Sequence, residues 1–181
     1  MKFIETQIPG VVIVESPVFR DSRGYFLEAF RQDALREAGI EIDWSQDNVS
    51  VSAEHVIRGL HYQLTRPQTK LVRVAHGAVF DVVVDIRKSS PTFGRHVVVE
   101  LRAGDGKAVL IPEGFAHGFA VREPDTVFFY KVSASYYPQG DRTILWNDAD
   151  LAIRWPFPEN EAIVSDKDRK GTPFQSAEVF P

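Results

Sequence analysis

The stretch that decides the fold is "KLVRVAHGAVFDVVVDIRKSSPTFGRHVVVELRAGDG", Lys70 to Gly106. Three runs rich in valine, leucine, isoleucine and phenylalanine are broken at Gly77, at the Ser-Pro-rich segment ending on Gly94, and at Gly104-Asp105-Gly106. β-Branched side chains crowd a helix but pack well on a pleated surface, so these runs read as strands and the glycine and proline clusters as turns. The rhythm continues in "KAVLIPEG" and "DTVFFYKVSASYYPQG", at the roughly 8–12-residue spacing expected of an all-β sandwich or barrel.

Helical period is clear only in "RQDALREAG", Arg31 to Gly39, where Ala34, Leu35 and Ala38 share one side and Gly39 is a stop. A second short helix is expected after Ser165. The reading is therefore all-β: a jelly roll of two packed antiparallel sheets, a few short peripheral helices, and an open end able to hold a small ligand. No repeat, low-complexity tract or composition break marks a linker, so residues 1–181 are read as one domain.

Composition narrows the function. With 44% hydrophobic residues, the 181-residue chain has ample material for a core. Its 21 Lys+Arg and 25 Asp+Glu give a formal charge of −4, and no block of like charge would follow a nucleic-acid backbone. The absence of cysteine excludes disulfides, thiolate catalysis and cysteine metal sites. The apolar run "VVIV", Val11 to Val14, is too short for a signal segment or a membrane span. No nucleic-acid or membrane partner is expected, and the default location is cytoplasmic.

Chemistry-bearing residues cluster in "VIRGLHYQLTRPQTKLVRV", Val56 to Val74. In a regular strand Arg58 and His61 fall on opposite faces. Gly59 offers a way out, because glycine in a strand often marks a bulge that re-aims its neighbours. His61 suits either a structural hydrogen bond or proton transfer near neutrality. Lys70 is either a solvated strand end or a cation aimed at an oxygen that gains charge during reaction. Tyr130 shares a face with Thr126, Phe128 and Val132. It is either a core tyrosine with a satisfied hydroxyl or a phenol that donates a proton.

"LIPEGFAHGFAV", Leu110 to Val121, carries His117 between two phenylalanines in a P-x-G-x-x-H pattern resembling the second cupin motif. Cupin metal sites normally also need H-x-H, which sets two imidazoles on one strand face. No two of the five histidines (55, 61, 76, 96 and 117) have that spacing, so no metal is expected.

Taken together, "FRDSRGYFLEAF", "QDNVSVSAEHVIRGLHYQ", "KLVRVAHGAVFDVVVDIRKSSPTFG", "IPEGFAHGF", "FFYKVSASYY" and "ILWNDADLAIRWPF", in this order, resemble the dTDP-4-dehydrorhamnose 3,5-epimerase family from about Ile8 to Asp168. The resemblance implies a cofactor-free, metal-free cupin jelly roll acting on a dTDP-linked 4-keto-6-deoxy sugar. It also implies a homodimer whose N-terminal segment crosses to the neighbouring subunit. Carried over by motif, His61 is the base, Asp168 orients it, Tyr130 is the acid on the opposite face of the sugar, and Lys70 stabilises the enolate oxygen. Gln46, Asn48, Arg58 and His117 hold the sugar and diphosphate, and Arg23 and Glu28 contact the nucleotide, serving the partner's site. Asp141 stands where the family more often has glutamate, and Lys167 is its usual lysine beside the dyad aspartate. Tyr136 and Tyr137 are both candidates to stack on the thymine.

These residue types fit the reaction so implied. A carbonyl at C4 acidifies the hydrogens on C3 and C5, since loss of either leaves an anion shared with the carbonyl oxygen. A base, an acid on the other face and a cation at that oxygen suffice to invert both centres, as a step toward dTDP-L-rhamnose. A 3- or 5-monoepimerase would use the same trio. The rival classes are a non-catalytic nucleotide-sugar binding module and a metal-dependent cupin oxygenase. The first has no need of an acid facing a base, and the second lacks its H-x-H. No G-x-G-x-x-G signature supports a nicotinamide cofactor.

Overall fold

The computed structural model describes residues 1–181. Fourteen strands run in chain order as β1 (Lys2–Glu5), β2 (Val12–Glu15), β3 (Val18–Asp21), β4 (Gly24–Leu27), β5 (Gln46–Ser52), β6 (Val56–Gln63), β7 (Lys70–His76), β8 (Ala78–Asp85), β9 (His96–Arg102), β10 (Lys107–Ile111), β11 (Phe115–Val121), β12 (Thr126–Val132), β13 (Asp141–Thr143) and β14 (Ile163–Val164). Two short helices, α1 (Gln32–Glu37) and α2 (Asp166–Arg169), fall on the two segments expected to be helical.

The strands form two facing sheets. One has the order β1-β2-β10-β7-β12-β5, the other β13-β6-β11-β8-β9 with β14 added beside β6. Every pairing is antiparallel except that of β14 with β6. This is the jelly roll read from the sequence. β3 and β4 stand apart as a hairpin.

Alternation along β8 shows how the sequence builds both sides of its sheet. Val79 and Val83 point into the core between the sheets, whereas Val82, Val84 and Ile86 belong to a second apolar cluster with Leu151 and Phe174. Chain beyond Ile144 covers the outer face of this sheet, so apolar residues are required on both faces and "VVV" replaces strict alternation.

Phe119 and Phe128, from opposite sheets, stack with ring centroids 4.0 Å apart at the top of the inter-sheet core. Burying a side chain of that size contributes about 2–3 kcal/mol, and the pair also closes the floor of the open end above it. No helix is long and apolar enough to cross a membrane.

Candidate functional site

Above the phenylalanine pair lies a cavity of about 670 Å³. Eleven of the fourteen site candidates named from the sequence line it: Gln46, Asn48, Arg58, His61, Lys70, His117, Tyr130, Tyr136, Asp141, Lys167 and Asp168. Arg23 and Glu28 do not. Arg23, at the β3–β4 turn, is exposed and paired with Asp21, and Glu28 lies 3.7 Å from Arg31.

Backbone geometry at Gly59 brings Arg58 and His61 to one cavity. In the β6–β11 ladder His61 faces His117 and Arg58 faces Phe119, so three steps on β6 match two on β11. The extra residue reverses the parity of a regular strand. Gly59 has φ +139°, and a Cβ built there would lie 2.6 Å from the Cα of Gly118. A Cβ on Gly118 would lie 2.8 Å from the Arg58 carbonyl oxygen, so two glycines back to back let the irregular strand stay paired. Ser52 Oγ then accepts from Arg58 Nε and Nη2 at 3.1 and 3.0 Å, holding the guanidinium at the cavity wall.

His61 Nε2 lies 2.6 Å from Asp168 Oδ1. Asp168 is delivered by α2, whose N-cap Ser165 accepts from the Asp168 amide at 3.1 Å. The other carboxylate oxygen accepts from the Gly59 amide at 3.3 Å. Burial acts to raise the Asp168 pKa, but the hydrogen bond and charge of His61, with the Gly59 and Ser165 bonds, hold it below the usual carboxylate range. With Nε2–H donated to the carboxylate, the His61 ring keeps its lone pair at Nδ1, which makes no hydrogen bond to the protein.

Tyr130 and Lys70 come from the facing sheet, on neighbouring strands β12 and β7. The Tyr130 hydroxyl has no protein partner, whereas Tyr62, buried in the apolar cluster on the outer face of its sheet, donates its hydroxyl to the Glu178 carbonyl oxygen at 2.5 Å. Tyr62 is thus a buried tyrosine with a satisfied hydroxyl, and Tyr130 is not. Burial raises the Tyr130 pKa, and nearby Arg58 acts against that rise.

Lys70 is buried, with a single hydrogen bond from Nζ to the His61 carbonyl oxygen at 3.2 Å and no carboxylate in ion-pair contact. Burial pushes its pKa down to about 8, and the charges of Asp81 and Asp141 oppose that fall. The ammonium thus has N–H donors to spare in a water-poor site, the arrangement that stabilises a developing oxyanion.

At the mouth, Asp141 Oδ2 is shared by the Lys167 ammonium and, at 3.2 Å, by the Tyr136 hydroxyl. Gln46 Oε1 accepts from the Tyr136 amide at 3.1 Å, and Gln46 Nε2 donates to Asn48 Oδ1 at 2.7 Å. Tyr136 lines the cavity with an exposed ring; Tyr137 does not line it and lies under the Arg66 guanidinium. No three His, Asp or Glu side chains converge on one point.

One residue of this region escaped the sequence reading. Asp81, fully buried, approaches His117 Nε2 through Oδ2 at 2.8 Å. Its parity was a usable signal, because Val79, Asp81 and Val83 share the inward face of β8 and a charge there needs a reason.

Residues 5–176 match the family profile of dTDP-4-dehydrorhamnose 3,5-epimerase. The chain is 48% identical over 182 residues to the dTDP-4-dehydrorhamnose 3,5-epimerase of Shigella flexneri, covering 99% of each chain. It is 46% identical to that of Pseudomonas aeruginosa, over the whole of both. The crystal structure of dTDP-6-deoxy-D-glucose-3,5-epimerase from Legionella pneumophila in complex with dTDP-4-keto-L-rhamnose superposes with a TM-score of 0.93 at 42% identity, covering 98% of this chain and 94% of that one. The chain belongs to the dTDP-4-dehydrorhamnose 3,5-epimerase family.

Proposed function

We propose that this isomerase inverts C3 and C5 of dTDP-4-dehydro-6-deoxy-D-glucose, giving dTDP-4-dehydro-L-rhamnose, by proton abstraction and redelivery. The observation that carries the reading is the opposition of two side chains: His61 on one sheet, oriented by Asp168, and Tyr130 on the other, its hydroxyl free of protein partners. A sugar lying between the sheets meets a base on one face and an acid on the other, and Lys70 offers its ammonium to the C4 oxygen as the enolate forms. His61 takes the proton from C3 or C5, the electron pair moves onto the C4 oxygen, and Tyr130 protonates the carbon from the opposite side. Asp168 favours the imidazolium formed in the first step.

Arg58, His117, Gln46 and Asn48 fit a role in holding the sugar and diphosphate, and Lys167 with Asp141 fits the outer end of the nucleotide. Tyr136, exposed at the mouth, is the tyrosine suited to stack on the thymine. The active form proposed is a homodimer in which the β3–β4 hairpin crosses to the partner. In support, Phe19 and Phe26 on the hairpin are 62% and 65% exposed, and Val49 and Val51 present an equally bare face on edge strand β5. Arg23 and Glu28 would then reach the partner's nucleotide rather than their own.

The test is solvent exchange. In D2O, without added metal, the protein is expected to wash deuterium into both C3 and C5 of dTDP-4-dehydro-6-deoxy-D-glucose. Exchange at one carbon only would select a monoepimerase, and exchange at neither would sink the epimerase reading.

A further inference from the structure

Asp81 lies on the inward face of β8 among core valines and is wholly shielded from solvent. Oδ2 is engaged by His117 Nε2 at 2.8 Å, whereas Oδ1 is buried without any hydrogen-bond partner. A half-satisfied carboxylate in an apolar interior costs several kcal/mol unless its charge is used. Lys70 has the complementary anomaly, a buried ammonium with one hydrogen bond and no carboxylate in contact.

We propose that Asp81 is a positioning residue for the epimerisation: lodged below the cavity, its carboxylate orients His117 and supplies the negative charge that keeps Lys70 a cation. The inference rests on the epimerase reading for the meaning of that cation, which stabilises the enolate only while protonated. The groups acting on Lys70 are Asp81 from β8 and Asp141 from β13, which favour its charged form, and Lys167 from α2, which opposes it; His61, His117 and Tyr130 line the same cavity from β6, β11 and β12. Asp81 heads the charges that resist the loss of the Lys70 proton on burial. It acts without entering the cavity, which it does not line. The bond from His117 Nε2–H also fixes the tautomer, leaving Nδ1 as an acceptor without a protein partner.

Asp81→Asn separates charge from shape, since the amide oxygen can still accept from His117. In wild-type enzyme kcat is expected to fall above about pH 8, where Lys70 loses its proton. In Asp81→Asn that limb should move about one pH unit lower, the shift expected on removing one nearby opposite charge. An unmoved limb in a folded Asp81→Asn enzyme would overturn the proposal. Should that variant fail to fold, 13C-aspartate NMR of the wild-type protein decides: an ionised Asp81 carboxylate between pH 6 and 8 is required, and a protonated one overturns the inference. The NMR result is independent of turnover, so a wild-type protein that exchanges no deuterium would refute the epimerase reading without deciding the state of Asp81.

Discussion

His61 and Asp168, 107 positions apart in the chain, meet at 2.6 Å because a four-residue helix capped by Ser165 sets the carboxylate against an irregular strand. If this pair is the base and its orienter, His61→Ala should abolish deuterium exchange at C3 and C5 while dTDP still binds. Asp168→Asn should lower kcat by about 10²-fold or more, with a smaller change in KM, because the amide can turn an N–H toward the ring and reverse its tautomer. Near-normal turnover of His61→Ala would show that the base lies elsewhere.

Tyr130→Phe removes one oxygen from the opposite wall and leaves the base in place. Exchange into the substrate should persist at a reduced rate while inversion falls much further. The measurement is the ratio of deuterium washed in to L-lyxo product formed, by NMR. Equal loss of both would argue against a separate acid.

The paired glycines predict a packing defect with a functional signature. Gly118→Ala drives a Cβ to 2.8 Å from the Arg58 carbonyl oxygen, and overpacking of this kind costs about 1–3 kcal/mol. Urea denaturation should register that loss. Activity should fall by more than the folded fraction, because the forced shift falls between Arg58 and His61.

Acid stability should carry the mark of Asp85. Burial acts to raise its pKa, but bonds from Arg87, Ser90 and Thr92 outweigh that and hold it at about 2. A carboxyl depressed from an ordinary ~3.9 to about 2 contributes about 2 kcal/mol of stability at neutral pH. The contribution is fully present above the unfolded value near 4 and is lost as pH falls through the folded one near 2. Asp85→Asn should therefore be less stable by roughly that amount at pH 7, with the gap to wild type closing between about pH 4 and 2. A gap constant with pH would locate the loss in packing instead.

Subunit exchange tests the crossing hairpin. Alone, the Arg23→Ala enzyme should be weak and the His61→Ala enzyme inactive. Mixed and re-equilibrated, they should regain activity, since the mixed dimer contains one site with an intact His61 and an intact Arg23 from the partner. Sedimentation of the wild type should give twice the 20.4 kDa chain mass. Absence of complementation would place Arg23 at its own site or at none.

Much of the fold was legible in local pattern. Valine-rich runs punctuated by glycine and proline located the long strands, and Ser165 and Gly39 marked the ends of the two helices, because strand and helix preferences and caps act over a few residues. Gly59 flagged the break in β6 before any pairing was known. Asp81 was hidden in "FDVVVD", where the identity of the neighbours says valine strand and only inward parity shows that the aspartate faces the core. The role of Tyr130 was equally ambiguous, since a buried tyrosine can find a distant partner, as Tyr62 does in the carbonyl oxygen of Glu178, 116 positions away.

By itself, then, the sequence determined the all-β class, the absence of thiol chemistry and the set of proton-handling side chains, properties carried by residue type and short-range period. Tertiary structure decided which of those side chains converge. The facing sheets put His61 opposite Tyr130, α2 returned Asp168 to His61, and the valine-lined interior left Lys70 and Asp81 as half-satisfied charges. The physical reason is that burial and electrostatic pairing depend on distances through space, which local preference does not encode until the sheets have closed.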